Sequence, residues 1–589
     1  MTRYLPHRVR VGRDVDGTLH LRSGHPLGPV AEKTGIWLHH WAEAAPERVF
    51  LAERQGAGWY TLGYAEVLDK VQGIASALLQ RGLTADTPIL VLSGNSVRHG
   101  LLALAAQYVG VPLVPLTEQY ALIPEARGRV SEVARDVKPA LVYAEDLERF
   151  GAALELVKAE RVSAADLDLM CATPVSGALE VAYGQVGPKT LAKILMTSGS
   201  NSRPKGVLTT QEMMCVNQAQ LRGALPFLGD APPCIVDWLP WSHVFGGSHN
   251  FNLMLANGGS LYIDDGKPVQ GRFERTLENL AMVQPSLMFN VPVGYGMLLA
   301  ALEKDSALAA HVFGRLDMLF YAGAVLPQDI WQGLERVARA AGSTPLMTTS
   351  WGMTETAPCC ILPHEPGGQA GGLGVPVSGV DVKLCPLEEG RYELRVKGPS
   401  IFKGYHGAPE KTAEAFDGEG YLRTEDAVSF VDPEDANKGL RFEGRLSEEF
   451  KLSSGTWVRV AELREALLDW LQPLALDLVI VGEGQEQIGV MLVPDREVFV
   501  ANGMSLDEAG DMMICARALA ALRERLTDWN AAHSGASRRV GAALFLAEPP
   551  QLGAGEVTAK GNLNSRKITG RRMELVGRLC EGGAGVLML

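Results

Sequence analysis

From Met196 to Val207 the chain reads Met-Thr-Ser-Gly-Ser-Asn-Ser-Arg-Pro-Lys-Gly-Val, a run of hydroxyls and glycines closed by Pro204-Lys205-Gly206. Glycine lets a backbone approach phosphate oxygens closely, hydroxyls and amides donate to them, and a lysine adds positive charge. The run therefore suits a polyphosphate, with Thr197, Ser198, Gly199, Ser200 and Lys205 as candidate contacts. It is not a Walker A loop, because no Gly-Lys-Ser/Thr follows Gly199 at the required spacing and no long helix signal follows Lys205. An ordinary surface turn is the competing reading of the same composition.

The order within the run is similar to the phosphate-loop signature of adenylate-forming enzymes, the acyl-CoA synthetase and luciferase superfamily, roughly Thr-Ser-Gly-Ser/Thr-Thr-Gly-x-Pro-Lys-Gly. Asn201 and Ser202 are the departures. Further motifs follow in that family's order. Leu239-Pro-Trp-Ser-His-Val-Phe-Gly246 resembles Leu-Pro-x-x-His-x-x-Gly, and the resemblance places His243 at the carboxylate pocket as a gate between ATP and acid. A histidine in an apolar stretch is otherwise more often structural. His243 and His249 have no third ligand at usable spacing, which excludes zinc. Ser350-Trp-Gly-Met-Thr-Glu355 resembles the segment ending Tyr-Gly-x-Thr-Glu, with Trp351 in place of tyrosine. The resemblance sets Trp351, Gly352 and Met353 at the adenine and Thr354 on phosphate. It gives Glu355 to Mg²⁺, for which a carboxylate is a suitably hard ligand.

Tyr321-Ala322-Gly323-Ala324 matches the family's small-residue segment beside adenine and acyl group. Gly420-Tyr-Leu-Arg-Thr-Glu-Asp426 resembles Gly-Trp/Tyr-x-x-Thr-Gly-Asp, with Glu425 where glycine is usual; Asp426 is implied to hold the ribose and Arg445 the ribose or α-phosphate. Ser447 stands where the family has Asp or Lys at the hinge of a swinging domain. Phe450 to Gly455 matches the motif whose lysine, here Lys451, serves the thioester-forming pose, with Gly455 facing the thiol. Val557-Thr-Ala-Lys-Gly-Asn-Leu563 resembles the last motif, which holds the adenylating lysine. Anchoring on Thr558 makes that lysine Lys560, whereas anchoring on Gly561 and Arg566-Lys567-Ile568 puts Asn562 there. Lys560 is preferred because asparagine brings no charge to a developing pentavalent phosphate.

Those matches imply an ATP-dependent acid:CoA ligase that forms acyl-AMP and then acyl-CoA, with ATP, Mg²⁺ and coenzyme A. Within the superfamily, the strings at 92–96, 239–250 and 451–458 and the Thr-Ala-Lys-Gly at 558–561 most resemble feruloyl-CoA synthetase and related aryl-CoA ligases. Trp241, His243, Phe245, Val291, Ala322 and Gly323 form the expected substrate pocket, suited to a planar hydroxycinnamate such as ferulate or a benzoate. The alternatives are a medium- or long-chain fatty acyl-CoA synthetase, a ligase loading a carrier protein, or a nucleotide-binding homologue that has lost catalysis.

Elements must position these groups. Leu191–Met196 reads as a buried strand entering the loop. Pro88–Leu92, Val97–Val109 and Val111–Val114 read as strand, helix, strand, with Ser96 as cap and Gly110 as stop. Similar short strands at 140–143, 234–238, 286–290 and 318–322 predict helix-covered, mainly parallel sheets, whose ligands bind beyond the carboxyl ends of strands. Alternating strands at 380–384, 392–397, 427–430 and 441–443 predict a small antiparallel barrel. Beyond Arg445 the pattern predicts a mobile α+β module, including a helix over 507–529, which gives domains at 1–445 and 446–589. Residues 1–36 read as irregular or hairpin-like.

At 589 residues two or more cores are expected. Lys plus Arg 55 against Asp plus Glu 68 leaves a net charge of −13, which disfavours duplex nucleic acid as a partner. The eight cysteines show no CxxC spacing and fit a reducing cytoplasm, with Cys359-Cys360 as packing. The charged N-terminus lacks a signal-peptide core, and no apolar run approaches the length of a membrane span. Cytoplasmic location is expected, and a homodimer is left open.

Overall fold

The computed structural model describes residues 3–197, 204–505, 507–509, 511–551, 553–557, 563–583 and 585–589. Its fold is mixed α/β, with helices packed on several separate sheets. The chain packs as a larger and a smaller compact unit, the smaller made of Glu425–Val428 and Phe442–Leu589.

In the larger unit, a six-stranded sheet runs in the order Lys205–Thr210, Leu191–Thr197, Leu113–Pro115, Ile89–Val91, Leu141–Tyr143, Glu160–Val162. Its pairs are parallel except the first. Every residue of Ile89–Val91, Leu113–Pro115 and Leu141–Tyr143 is buried, as continuous apolar runs demand of parallel strands covered on both faces. Between the first two of these strands the helix Val97–Tyr108 begins at Ser96, whose hydroxyl accepts from His99 N at 3.1 Å, and Gly110 follows it with φ 75°. A four-stranded sheet holds Cys234–Asp237, Ser260–Ile263, Val49–Gln55 and Gly58–Gly63, and a parallel three-stranded sheet holds Leu287–Asn290, Met318–Tyr321 and Leu346–Thr349.

The alternating region joins a nine-stranded sheet in which Asp381–Pro386, Tyr392–Lys397, Leu422–Phe430 and Leu440–Arg445 lie between two outside contributions. One is the hairpin Val9–Arg13 with Leu19–Ser23, which accounts for the glycine-punctuated N-terminus. The other is the trio Gly372–Pro376, Cys359–Leu362 and Trp351–Gly352. Cys359 and Cys360 lie fully buried on a strand as free thiols, and burial pushes the Cys360 thiol up to about 12.

The smaller unit contains a sheet ordered Ala475–Val481, Ile488–Pro494, Val540–Leu546, Met512–Met513, Glu508–Ala509, with Leu587–Met588 added to Val540–Leu546. One expectation is corrected here. The helix expected over 507–529 is Ala516–Ala532, because the buried Met512 and Met513 pair with Leu546 and Phe545 as strand, and the cap Cys515 accepts from Ala518 N. A core of leucines around Trp529, Phe499 and Phe545 fills this unit. Among the described residues no helix is long and apolar enough to cross a membrane.

Candidate active site

The strands Leu191–Thr197 and Lys205–Thr210 pair antiparallel, with Thr197 opposite Lys205 and Thr197 Oγ1 donating to Lys205 O at 3.4 Å. A strand thus follows Lys205, consistent with the exclusion of a Walker loop. Ser198, Gly199 and Ser200 lie outside the described residues. The second strand is clasped from its other side by Gly404–His406: Leu208 N donates to Gly404 O at 3.3 Å, and His406 N donates to Gly206 O at 2.7 Å. The clasp places Tyr405 beside two predicted site residues. Lys205 Nζ stands 4.9 Å from the centre of the Tyr405 ring, and Tyr405 Oη donates to Glu355 Oε1 at 2.9 Å. Phe402 N also donates to Glu355 O at 2.8 Å. Lys205 and the carboxylate of the Trp-Gly-Met-Thr-Glu motif are therefore brought together through a tyrosine.

Thr354 and Glu355 are buried in a single 3₁₀ turn, Thr354–Thr356. The turn is fixed by Thr356 Oγ1, which accepts from Met353 N at 2.9 Å. Gly352 is obligatory: a Cβ there would lie 1.8 Å from Pro358 O. Trp351 is buried, Gly352 exposed and Met353 half-buried.

Around the expected acid pocket, Asn95 ties the 92–96 loop to the histidine motif, donating to Leu239 O at 2.9 Å and accepting from Trp241 N at 2.9 Å. His243 Nδ1 accepts from Phe245 N at 3.2 Å, which leaves the imidazole proton on Nε2. Phe245–Asn250 forms a π-helical turn. Its glycines permit close packing, since a Cβ on Gly246 would lie 2.3 Å from Leu239 O and one on Gly247 2.1 Å from Trp241 O. Lys193, buried on the strand that leads into the phosphate loop, donates to Gly247 O, and burial lowers its ammonium to about 8.

Phe245 meets Phe320 at 5.8 Å and Phe289 at 6.1 Å between ring centres. Val291 and Gly323 are neighbours, a Cβ at Gly323 falling 3.7 Å from Val291 Cγ1; Gly323 has φ 96°, so the position favours glycine. Ala322 N donates to Asn290 O at 3.3 Å, and Gly323 and Ala324 are exposed. Trp241 is placed differently: it is 3% exposed and packs edge-on against Phe251 at 5.0 Å and His99 at 5.3 Å.

In the smaller unit Asp426 is paired with Arg445 at 3.5 Å, and Arg445 is 63% exposed along its side chain. Glu425, the departure from glycine in the motif that the 420–426 segment resembles, has φ 60°. A non-glycine side chain in that left-handed region costs about 1–2 kcal/mol. Ser447 O accepts from Arg566. Lys451 ends the strand Phe450–Lys451, paired with Trp457–Val458, and its Nζ stands 4.8 Å from the Trp457 ring. Gly455 turns that hairpin at φ 82°, with its N–H donating to Leu452 O at 2.8 Å. Lys560, Thr558 and Asn562 lie outside the described residues. Their flanks are Val557 and Leu563, which bridge antiparallel, and the fully buried Glu556, paired with Arg572 at 2.8 Å and Arg571 at 3.0 Å. Burial works against ionisation of Glu556, but those arginines and Gln551 N hold its carboxyl below the ordinary range.

Sequence reasoning missed Tyr405, Lys193 and the buried Asp237–Asn250–His249 chain. Nothing near Lys403-Gly404-Tyr405-His406 signals chemistry. A lysine inside an apolar strand, and an Asn beside a second His in the histidine motif, were signals open to use.

A family model described as AMP-binding enzyme matches residues 38–406, more than half of the chain. The chain belongs to the AMP-binding enzyme family. Carboxylic acid reductase of Mycobacterium tuberculosis is 25% identical over 496 residues, covering 75% of this chain and 41% of the reductase. The chain thus spans about two-fifths of that relative's length. The 4-coumarate–CoA ligase 4 of Arabidopsis thaliana is 25% identical over 435 residues, covering 70% of this chain and 73% of that ligase. Among solved structures, the A-PCP didomain of carboxylic acid reductase from Segniliparus rugosus, in complex with AMP, superposes with a TM-score of 0.71 at 19% identity, covering 94% of this chain and 82% of that one. That likeness speaks to the fold. Family and relatives together support adenylating, ATP-dependent acid:CoA ligase chemistry. They do not select the acid, since relatives at this level are named for aryl, fatty and dicarboxylic acids.

Proposed function

We propose that this AMP-binding family member joins an aromatic carboxylic acid, a hydroxycinnamate such as ferulate, to coenzyme A through an acyl-AMP. The observation that carries the first half-reaction is the Lys205–Tyr405–Glu355 cluster. Mg²⁺ enters with ATP as substrate. A buried carboxylate already oriented by a tyrosine suits a hard cation bridging phosphates, and Lys205 beside it neutralises phosphate charge. The acid lies by His243, whose Nε2–H can donate to its carboxylate oxygen. In-line attack on the α-phosphorus breaks the bond to the β-phosphate oxygen and gives acyl-AMP and pyrophosphate. Lys560 is assigned the charge developing on the α-phosphate, and Asp426 with Arg445 the ribose. The CoA thiol then attacks the acyl carbon, its proton leaves, and AMP departs with its phosphate oxygen. Lys451 and the Gly455 turn serve this step after the domain 446–589 swings about Ser447.

Support for an aryl acid comes from the rings of Phe245, Phe289 and Phe320 beside a segment narrowed to Ala322 and Gly323. Flat rings pack edge-to-face against such walls. Pyrophosphate release by the purified protein with ATP, Mg²⁺ and CoA, across ferulate, 4-hydroxycinnamate, benzoate and medium-chain fatty acids, tests the proposal. The expected result is fastest turnover on a hydroxycinnamate; faster turnover on an aliphatic acid than on any aryl acid overturns it. Release that needs no acid overturns the ligase reading itself.

A further inference from the structure

His249 lies one turn beyond His243 and is 1% exposed. Three phenylalanine rings surround it, Phe320 at 5.1 Å, Phe289 at 5.5 Å and Phe245 at 5.6 Å. These are the rings that wall the proposed acid pocket. Phe320 immediately precedes Tyr321-Ala322-Gly323, and Phe289 precedes Asn290-Val291.

A chain of hydrogen bonds fixes which nitrogen of His249 carries the proton. Asp237 Oδ1 accepts from Leu239 N at 3.2 Å, and Asp237 Oδ2 accepts from Asn250 Nδ2 at 3.0 Å. An amide whose nitrogen faces a carboxylate must turn its oxygen the other way, and Asn250 Oδ1 meets His249 Nδ1 at 2.9 Å. Nδ1 is therefore the donor. Burial keeps the ring neutral, pushing it down to about 4. In the neutral ring the other nitrogen, Nε2, is a lone-pair acceptor. It is fully buried and has no hydrogen-bond partner among the described residues. A buried acceptor left without a donor costs about 1–3 kcal/mol. The three phenylalanine rings packed on it offer no N–H or O–H.

We propose that His249 Nε2 accepts a hydrogen bond from a phenolic hydroxyl at the ring end of the acid, making His249 the residue that selects hydroxylated over unhydroxylated aryl acids. The proposal rests on the aryl-acid reading above and adds to it the group that reads the ring. A neutral phenol supplies one donor on a flat apolar body, matching one acceptor among three apolar rings. An aliphatic tail or an unsubstituted ring fills the same walls and leaves the acceptor unpaired.

The test compares kcat/KM for 4-hydroxycinnamate and cinnamate in the full-length protein, His249→Phe and His249→Gln, at fixed Mg·ATP and CoA. The wild-type protein should prefer 4-hydroxycinnamate by about tenfold or more, the equivalent of one paired acceptor. In His249→Phe that ratio should fall to near one, chiefly through loss on 4-hydroxycinnamate, and the amide oxygen of His249→Gln should restore part of it. A wild-type ratio near one, or a His249→Phe ratio equal to the wild type, overturns the assignment and leaves Nε2 to a buried water. Turnover of both acids with no preference sinks this inference alone, whereas turnover of aliphatic acids only sinks the aryl reading and this inference together. Should His249→Phe fail to fold, the near-ultraviolet band of 4-hydroxycinnamate bound to the wild-type protein should shift to the red relative to bound 4-methoxycinnamate. No difference between the two overturns the proposal.

Discussion

Lys205 and Lys451 carry the same charge in opposite surroundings. Lys205 is half-buried, starts a strand clasped on both sides, and lies over a tyrosine whose hydroxyl is committed to Glu355. Lys451 is exposed, ends a strand of two residues, and leans on a tryptophan that is itself 45% exposed. In the roles proposed above, a charge that must meet phosphate at a fixed point gains from a site that needs no reorganisation. A charge used only in a later step gains from a short element that carries little packing with it. The larger unit holds prearranged groups, and the smaller one presents its lysine on a hairpin.

The largest effect expected from this contrast concerns Lys560. Lys560→Ala should lower acid-dependent pyrophosphate release by about 100-fold or more while largely sparing thioester formation from preformed acyl-AMP, read by rapid quench of each half-reaction. Equal losses in both halves would break the division of labour between lysines. Lys451→Ala should do the reverse, slowing thioester formation by about tenfold or more with pyrophosphate release nearly intact, because an exposed side chain supports nothing else.

Tyr405→Phe sharpens the account of the larger unit. The ring beside Lys205 stays and only the hydroxyl on Glu355 is lost. Pyrophosphate release should fall about three- to tenfold at saturating acid, with a stability cost of about 1 kcal/mol by urea unfolding, the worth of one hydrogen bond. No change in either measurement would mean that Glu355 is held by its other contacts.

The smallest effect concerns Lys193, the buried counterpart of both. Its ammonium titrates near 8 in the fold, against 10.5 as the ordinary value. Between those two pH values the unfolded chain binds the extra proton, so this group makes stability rise with pH, by at most about 1.4 kcal/mol per unit. Lys193→Met should remove that contribution, seen as a wild-type-minus-variant difference in urea midpoints that rises from pH 8 to pH 10. A wild-type slope unchanged by the substitution would show that Lys193 is not the group titrating.

Much of this was written in side-chain identity and order. The buried strands at 89–91, 113–115 and 318–321 are legible because apolar runs between turn residues have few other fates, and Ser96 and Gly110 mark the helix between the first two. The strand Leu191–Thr197 was legible as an apolar run, whereas the second strand of that hairpin, Lys205–Thr210, was not read from the sequence. The histidine motif and the Trp-Gly-Met-Thr-Glu segment were legible because each is local. The helix start near 516 was not, since Met512 and Met513 suit strand and helix alike until Phe545 and Leu546 claim them.

By itself, then, the sequence determined which groups are present and on which local elements: Lys205 after a strand, His243 in an apolar loop, Glu355 in a turn. Only the tertiary structure decided what those groups face. Tyr405 reaches Glu355 across 50 residues of chain, and Asp237 sets the tautomer of His249 through Asn250. The reason is physical. Propensity and periodicity act over a few neighbouring residues, whereas a hydrogen bond in a dry interior depends on where distant elements pack and on which partner is left when water has gone.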